Sequence, residues 1–208
     1  MILDNKDKQG VAYNLLFNEI KENKISHAYL IVENNNIQAF NLVLKFVKAI
    51  ICKDISNQKE IDIISQRIDD NNYPELKIIE PDGLLIKKQQ IINLQQDFSR
   101  KAIEGKKRIY IIHECDKMRP ETANAMLKFL EEPENDIVAI LMTNNENNIL
   151  PTIISRCQKV KLNYEVVADK NSEYDDLIMD FVDELENGGL KLFVNKNNFW
   201  LDKNISKD

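Results

Sequence analysis

Apolar and polar positions along the chain fall into two rhythms. Short apolar runs rich in β-branched residues occur at Ala28-Tyr-Leu-Ile-Val32, Leu76-Lys-Ile-Ile79 and Arg108-Ile-Tyr-Ile-Ile112, and again at residues 137–143, and residues 159–162 read as a last strand. Runs of this length suit strands covered on both faces, as in a parallel sheet between helices. Between them, apolar residues recur every three or four positions. Residues 11–23 place Val11, Ala12, Leu15, Leu16 and Ile20 on one side, and residues 38–52 do the same with Phe40, Val43, Leu44, Val47 and Ile51. In residues 87–102 the stripe is Ile91, Leu94 and Phe98, and in 120–132 it is Ala123, Met126, Leu127 and Leu130. Each such stripe predicts a helix with one face to bury. The last helix has marked ends: Pro120 fits a first turn, whose N–H has no intrahelical partner, and Pro133 forbids continuation. Residues 53–73 are polar and sparsely periodic, which predicts at most a surface helical insertion.

Composition narrows the class. The 208 residues are 43% hydrophobic, enough for one large or two modest domains with a core of their own. A net charge of −6 argues against a chain that grips nucleic acid unaided, because phosphate binding needs clustered Lys and Arg. Lys87, Lys88, Arg100, Lys101, Lys106, Lys107 and Arg108 form the most basic part of the chain, so a local DNA contact stays open beside a solvated face. Cys52, Cys115 and Cys157 are odd in number and far apart. They suit reduced, buried thiols better than a disulfide framework or a metal knuckle. Neither a signal-peptide apolar region nor a run near the roughly 20 residues of a membrane span is present, so a soluble, cytoplasmic protein without membrane contact is expected.

Three stretches carry candidate chemistry. The first is the turn after the Ala28 run, residues 33–39, the place where a strand leads into a helix and a phosphate-binding loop would lie. Such a loop needs glycines for its backbone cradle, a Lys for the β- and γ-phosphates and a Ser or Thr for magnesium. None occurs there, and Glu33 opposes an anion, so the turn reads either as a lost phosphate loop or as an ordinary connection. The second is the polar tip His113-Glu114-Cys115-Asp116. Acids at this place in a phosphate-loop ATPase hold magnesium, but a histidine leads here, and a degenerate acidic strand end of His113, Glu114 and Asp116 is expected. Zinc is not expected either, since neighbours on a strand point to opposite faces. The third is Ser155-Arg156-Cys157. Arginine's planar fork suits phosphate recognition that lysine cannot reproduce, although one surface arginine alone is more often a salt-bridge residue.

The order of these stretches resembles the delta prime family of bacterial DNA polymerase III clamp-loader subunits, within the AAA+ superfamily. The resemblance rests on Ser26-His-Ala-Tyr-Leu30, Ile79-Glu-Pro-Asp-Gly83, Glu104-Gly-Lys-Lys-Arg-Ile-Tyr-Ile-Ile112, Asp116-Lys-Met118, Asn124-Ala-Met-Leu-Lys-Phe-Leu-Glu-Glu-Pro133 and Leu150-Pro-Thr-Ile-Ile-Ser-Arg-Cys-Gln158. It implies an AAA+ phosphate-loop NTPase-like α/β fold with a five-stranded parallel sheet flanked by helices over residues 1–165, here lacking the phosphate loop, and the start of a helical lid over 166–208. Residues 172–187 fit such a lid, with Tyr174, Leu177, Ile178, Phe181, Val182 and Leu185 as its stripe. The family's collar domain is expected to be absent from these residues. Relatives with four zinc-binding cysteines differ from this chain, which keeps only Cys52 at that place; no metal and no cofactor are expected. By the same resemblance, the chain is a non-hydrolysing subunit that helps load the sliding clamp onto primed DNA. Its partners are ATP-hydrolysing subunits of gamma/tau type and a delta subunit. Arg156 is then an arginine finger acting in trans on a neighbour's ATP, with Ser155 and Cys157 supporting its loop. A self-sufficient AAA+ ATPase is the alternative.

Overall fold

A computed structural model of the chain describes residues 10–100, 102–105, 107–131 and 136–164. They lie in the unit Met1–Tyr164; the expected lid over 166–208 and its 172–187 helix lie outside the described residues. Strands and helices alternate. β1 (Ala28–Glu33) follows α1 (Gly10–Glu22), α2 (Asn36–Ile51) and α3 (Gln58–Asp69) lead to β2 (Leu76–Ile79), and α4 (Lys88–Phe98) leads to β3 (Arg108–Ile112). Then come α5 (Pro120–Glu131), β4 (Ile137–Thr143), the one-turn α6 (Pro151–Ile154) and β5 (Gln158–Leu162). All five strands are parallel, in the order β2-β3-β4-β1-β5.

Period-two alternation divides the strand side chains between two cores. Tyr29, Ile31, Ile109, Ile111, Val138, Ile140, Met142, Val160 and Leu162 face α1, α2 and α3. Ala28, Leu30, Tyr110, Ile112, Ala139 and Leu141 face α4, α5 and α6. Because both faces are covered, β3 and β4 are buried along their whole length, which is why their sequences show no polar alternation. β5 differs: Val160 and Leu162 turn inward while Lys159 and Lys161 are exposed, as suits an edge strand whose charges discourage further pairing. Burying each large aliphatic side chain contributes on the order of 2 kcal/mol, so these two layers dominate the fold's stability.

Three sequence expectations are corrected here. α2 buries Ala39, Leu42, Val43, Phe46, Val47 and Ile50, whereas Phe40, Leu44 and Ile51 are only partly buried. α2 packs against α1 and α3 as well as the sheet beneath it. Residues 53–73 are more than an insertion: Ile68 at the end of α3 and Tyr73 are buried in the first core, and Arg67 forks onto Glu104 at 2.6 and 3.1 Å. The helix expected over 87–102 stops at Phe98. Arg108 explains the stop: its Nη1 donates to the carbonyls of Phe98 and Arg100, both at 2.5 Å, and takes over the free end of α4.

Candidate functional site

At the carboxyl ends of the strands, β1 lies between β4 and β5, and β1 and β3 continue into helices on opposite faces. An open parallel sheet places its ligand crevice at such a switch point. In this chain the connection from β1 to α2 is two residues long, Asn34 and Asn35. Asn35 caps α2 by accepting from the Gln38 N–H at 3.1 Å. The Asn34 side chain donates to the Tyr164 carbonyl and accepts from the Tyr164 N–H, at 2.9 and 2.7 Å, which fastens the turn to the exit of β5. A glycine-rich loop of the length that surrounds phosphate has no equivalent in so short a turn. Glu33, at the last position of β1, is buried and its Oε2 has no hydrogen-bond partner. Burial raises its carboxyl above the usual range, and the charges of Asp116 and Glu114 add to that, opposed by the Asn35 N–H.

The polar tip does not converge on a point. His113 places Nε2 2.5 Å from Asn36 Oδ1 on the first turn of α2, with Nδ1 3.8 Å from Glu80. Glu114 adopts a left-handed conformation, φ 50°, and pairs with Lys117 at 2.9 Å. Asp116 turns toward the end of β4 and accepts from the Thr143 hydroxyl at 2.8 Å. Each polar group thus has its own neighbour within the chain, and among the described residues no three of His, Cys, Asp and Glu could hold a metal ion together.

Arg156 lies elsewhere. Proline at the first position of α6 and the Leu150 carbonyl start a single turn, and Ser155 closes it by donating its N–H to the Pro151 carbonyl at 2.9 Å. The Thr152 carbonyl then accepts twice, from the Ser155 hydroxyl at 3.1 Å and from Arg156 Nη1 at 2.8 Å. Arg156 Nη2 pairs with Glu131 Oε1 at 2.7 Å, where the arginine side chain is 34% exposed and the glutamate 47%. Cys157 packs into the second core, and burial pushes its thiol up to about 12, so it fills space and stays protonated. Ser155, Arg156 and Cys157 therefore form one tight loop with the arginine at its surface.

The loop is at the opposite end of the sheet from the tip. Gln158 pairs with Tyr29 at the start of β1, and Leu162 pairs with Glu33 at its end. That stretch of β5 spans about 13 Å. Sequence reasoning missed the groups that hold the loop there. Gln158 donates to Glu19 of α1, which also accepts from the buried Tyr29 hydroxyl, and Tyr29 accepts from the Ser26 N–H at 2.8 Å. Burial first, and the Glu19 bond second, raise the Tyr29 phenol well above its ordinary range. A buried tyrosine needs a partner for its hydroxyl, and that was the available signal. Glu131 was missed too, though an acid in the last turn of a helix opposes the helix dipole and asks for a cation.

Several of the basic residues described make contacts within the chain. Arg108 is buried over the Phe98 ring as a helix cap, Lys87 pairs with Asp82 at 2.5 Å and Lys107 with Asp136 at 3.6 Å; Lys101 and Lys106 lie outside the described residues. No helix among the described residues is long and apolar enough to cross a membrane.

A five-stranded parallel sheet in this order, with helices on both faces, defines a three-layer α/β protein. The family model described as "DNA polymerase III, delta subunit" matches residues 8–165. The chain belongs to the delta prime family of clamp-loader subunits. It is 41% identical over 145 residues to the DNA polymerase III subunit delta′ of Bacillus subtilis, covering 69% of this chain and 44% of that protein. With the tau/gamma subunit of Haemophilus influenzae it shares 27% identity over 157 residues, 71% of this chain and 22% of that one. A solved gamma subunit-related protein from Thermotoga maritima is similar at a TM-score of 0.49 and 23% identity, over 79% of this chain and 49% of that structure. The chain thus spans less than half the length of these proteins.

Proposed function

We propose that this chain is a non-hydrolysing subunit of the clamp loader of a bacterial DNA polymerase III holoenzyme, and that it lends Arg156 to the ATP site of a neighbouring subunit. The placement of Arg156 carries this reading. It projects from the amino end of β5, about 13 Å of sheet away from this chain's own switch point, and so it suits a phosphate held by another chain. The two-residue turn between β1 and α2 supports the same reading, because it leaves no backbone cradle for a nucleotide of its own. Its partners are ATP-hydrolysing subunits of gamma/tau type and a delta subunit, and primed DNA and the sliding clamp are met through the assembly in the cytoplasm. Residues 1–165 supply the AAA+ domain.

A finger of this kind stabilises charge on the transferred phosphoryl group and accounts for about 10³–10⁵ in rate in GTPases, with a smaller share per site in a ring. In the reconstituted assembly, Arg156→Ala and Arg156→Lys should both lower DNA-stimulated ATP hydrolysis at least tenfold per affected site, with thermal unfolding of the subunit unchanged. Unchanged hydrolysis in both variants would overturn the finger. Calorimetry of the isolated protein with magnesium and ATP should show no binding up to millimolar nucleotide; micromolar binding with turnover would transfer the reading to a self-sufficient ATPase.

A further inference from the structure

Glu131 is the last residue of α5, and its carboxylate stands 2.7 Å from Arg156 Nη2. The position is electrostatically unfavourable for an acid, because the carbonyls at a helix C-terminus already carry partial negative charge. A cation beside it relieves that conflict, and Arg156 is the cation supplied. The guanidinium is held at a second point as well, by the Thr152 carbonyl at 2.8 Å on Nη1. Two acceptors from two different elements, one on α5 and one on α6, fix both the position and the plane of the fork. Its remaining N–H groups are those left for a phosphate.

We infer that Glu131 is a positioning residue for the arginine finger, presetting the Arg156 guanidinium before a neighbour's ATP arrives. The inference rests on the finger reading of Arg156. A flexible arginine loses side-chain freedom when it engages a phosphate, and a side chain already held loses less. The pair is too exposed to matter for folding, since surface ion pairs contribute about 0–1 kcal/mol. Its effect is therefore confined to the geometry of the finger. Charge is secondary to placement, so a neutral acceptor of the same shape does most of what Glu131 does.

The test uses the full chain in the reconstituted assembly, with ATP turnover measured across ATP concentrations. Glu131→Ala should lower kcat about threefold to fivefold, the size of one lost surface pair, with KM for ATP little changed. Glu131→Gln should restore most of the rate, because its amide oxygen still accepts from Nη2. The double variant Glu131→Ala with Arg156→Ala should be no slower than Arg156→Ala alone, as expected for two groups acting through one. A faster Glu131→Ala enzyme would overturn the inference and mark Glu131 as a latch that withholds the finger. Equal rates for Glu131→Ala and the unaltered chain, or losses that add to those of Arg156→Ala, would also overturn it. Failure of the finger itself is separable, since it appears as an unaffected Arg156→Ala.

Discussion

At the scale of single residues, polar groups that the sequence left without an assignment hold the Ser155–Cys157 loop in place. Tyr29, Glu19 and Gln158 clamp the start of β5, and Thr152 takes both Ser155 and Arg156. Glu33 is the exception: one of its carboxylate oxygens is buried without a partner beside Asp116 and Glu114. Burial raises its native pKa above the unfolded value, so the folded chain binds this proton more tightly than the unfolded chain does. Glu33 accordingly costs no stability below the ordinary carboxylate range, near about 4.3, and costs progressively more as pH rises through the raised native value. Glu33→Gln should therefore raise the melting temperature at about pH 7.5 and leave it nearly unchanged at about pH 4. Equal gains at both pH values, or a loss at the higher one, would show that the carboxylate is satisfied in solution.

At the scale of elements, boundaries are set by side chains distant in sequence. At the end of α4, Arg108, 10 positions on, takes the carbonyl of Phe98 and covers its ring at 5.3 Å. Arg108→Ala removes two charge-assisted hydrogen bonds from a buried site and should cost about 1–3 kcal/mol, read as a melting temperature lower by several degrees. Arg108→Lys should recover little, because an ammonium cannot serve two carbonyls and an aromatic face at once. A loss within about 0.5 kcal/mol for Arg108→Ala would mean that water replaces the cap. The same residue shows why the basic stretch was misleading: a charge read from sequence as surface is here a structural donor.

At the scale of the whole molecule, two apolar layers meet across one sheet whose centre is β3, β4 and β1. Strands paired on both sides and covered on both faces open only when the domain unfolds, whereas edge strands open locally. Amide exchange should thus be slowest in β1, β3 and β4, and faster in β2 and β5. Comparable protection in β5 would mean that the Glu19, Tyr29 and Gln158 clamp ties this edge into the global unit. Arg156 is placed by the edge strand that follows it, β5, so the stability of that edge bears on the role proposed for Arg156.

Much of this protein was legible in one dimension. Four of the five strands appear where short apolar runs stand, because a strand covered on both faces is mostly apolar, and four helices appear where the spacing matches a helical turn. The missing glycines and lysine of residues 33–39, and an arginine between Ser155 and Cys157, are facts of sequence alone. Tertiary structure decided the rest, for reasons of distance. It rotated the buried face of α2 away from the stripe read from spacing, and drew Arg108 into a cap. It set Glu131 against Arg156 and parted the Ser155–Cys157 loop from the strand-end acids by the length of a strand. Periodicity records what lies next along the chain, whereas hydrogen bonds and ion pairs between elements depend on how those elements are placed in space.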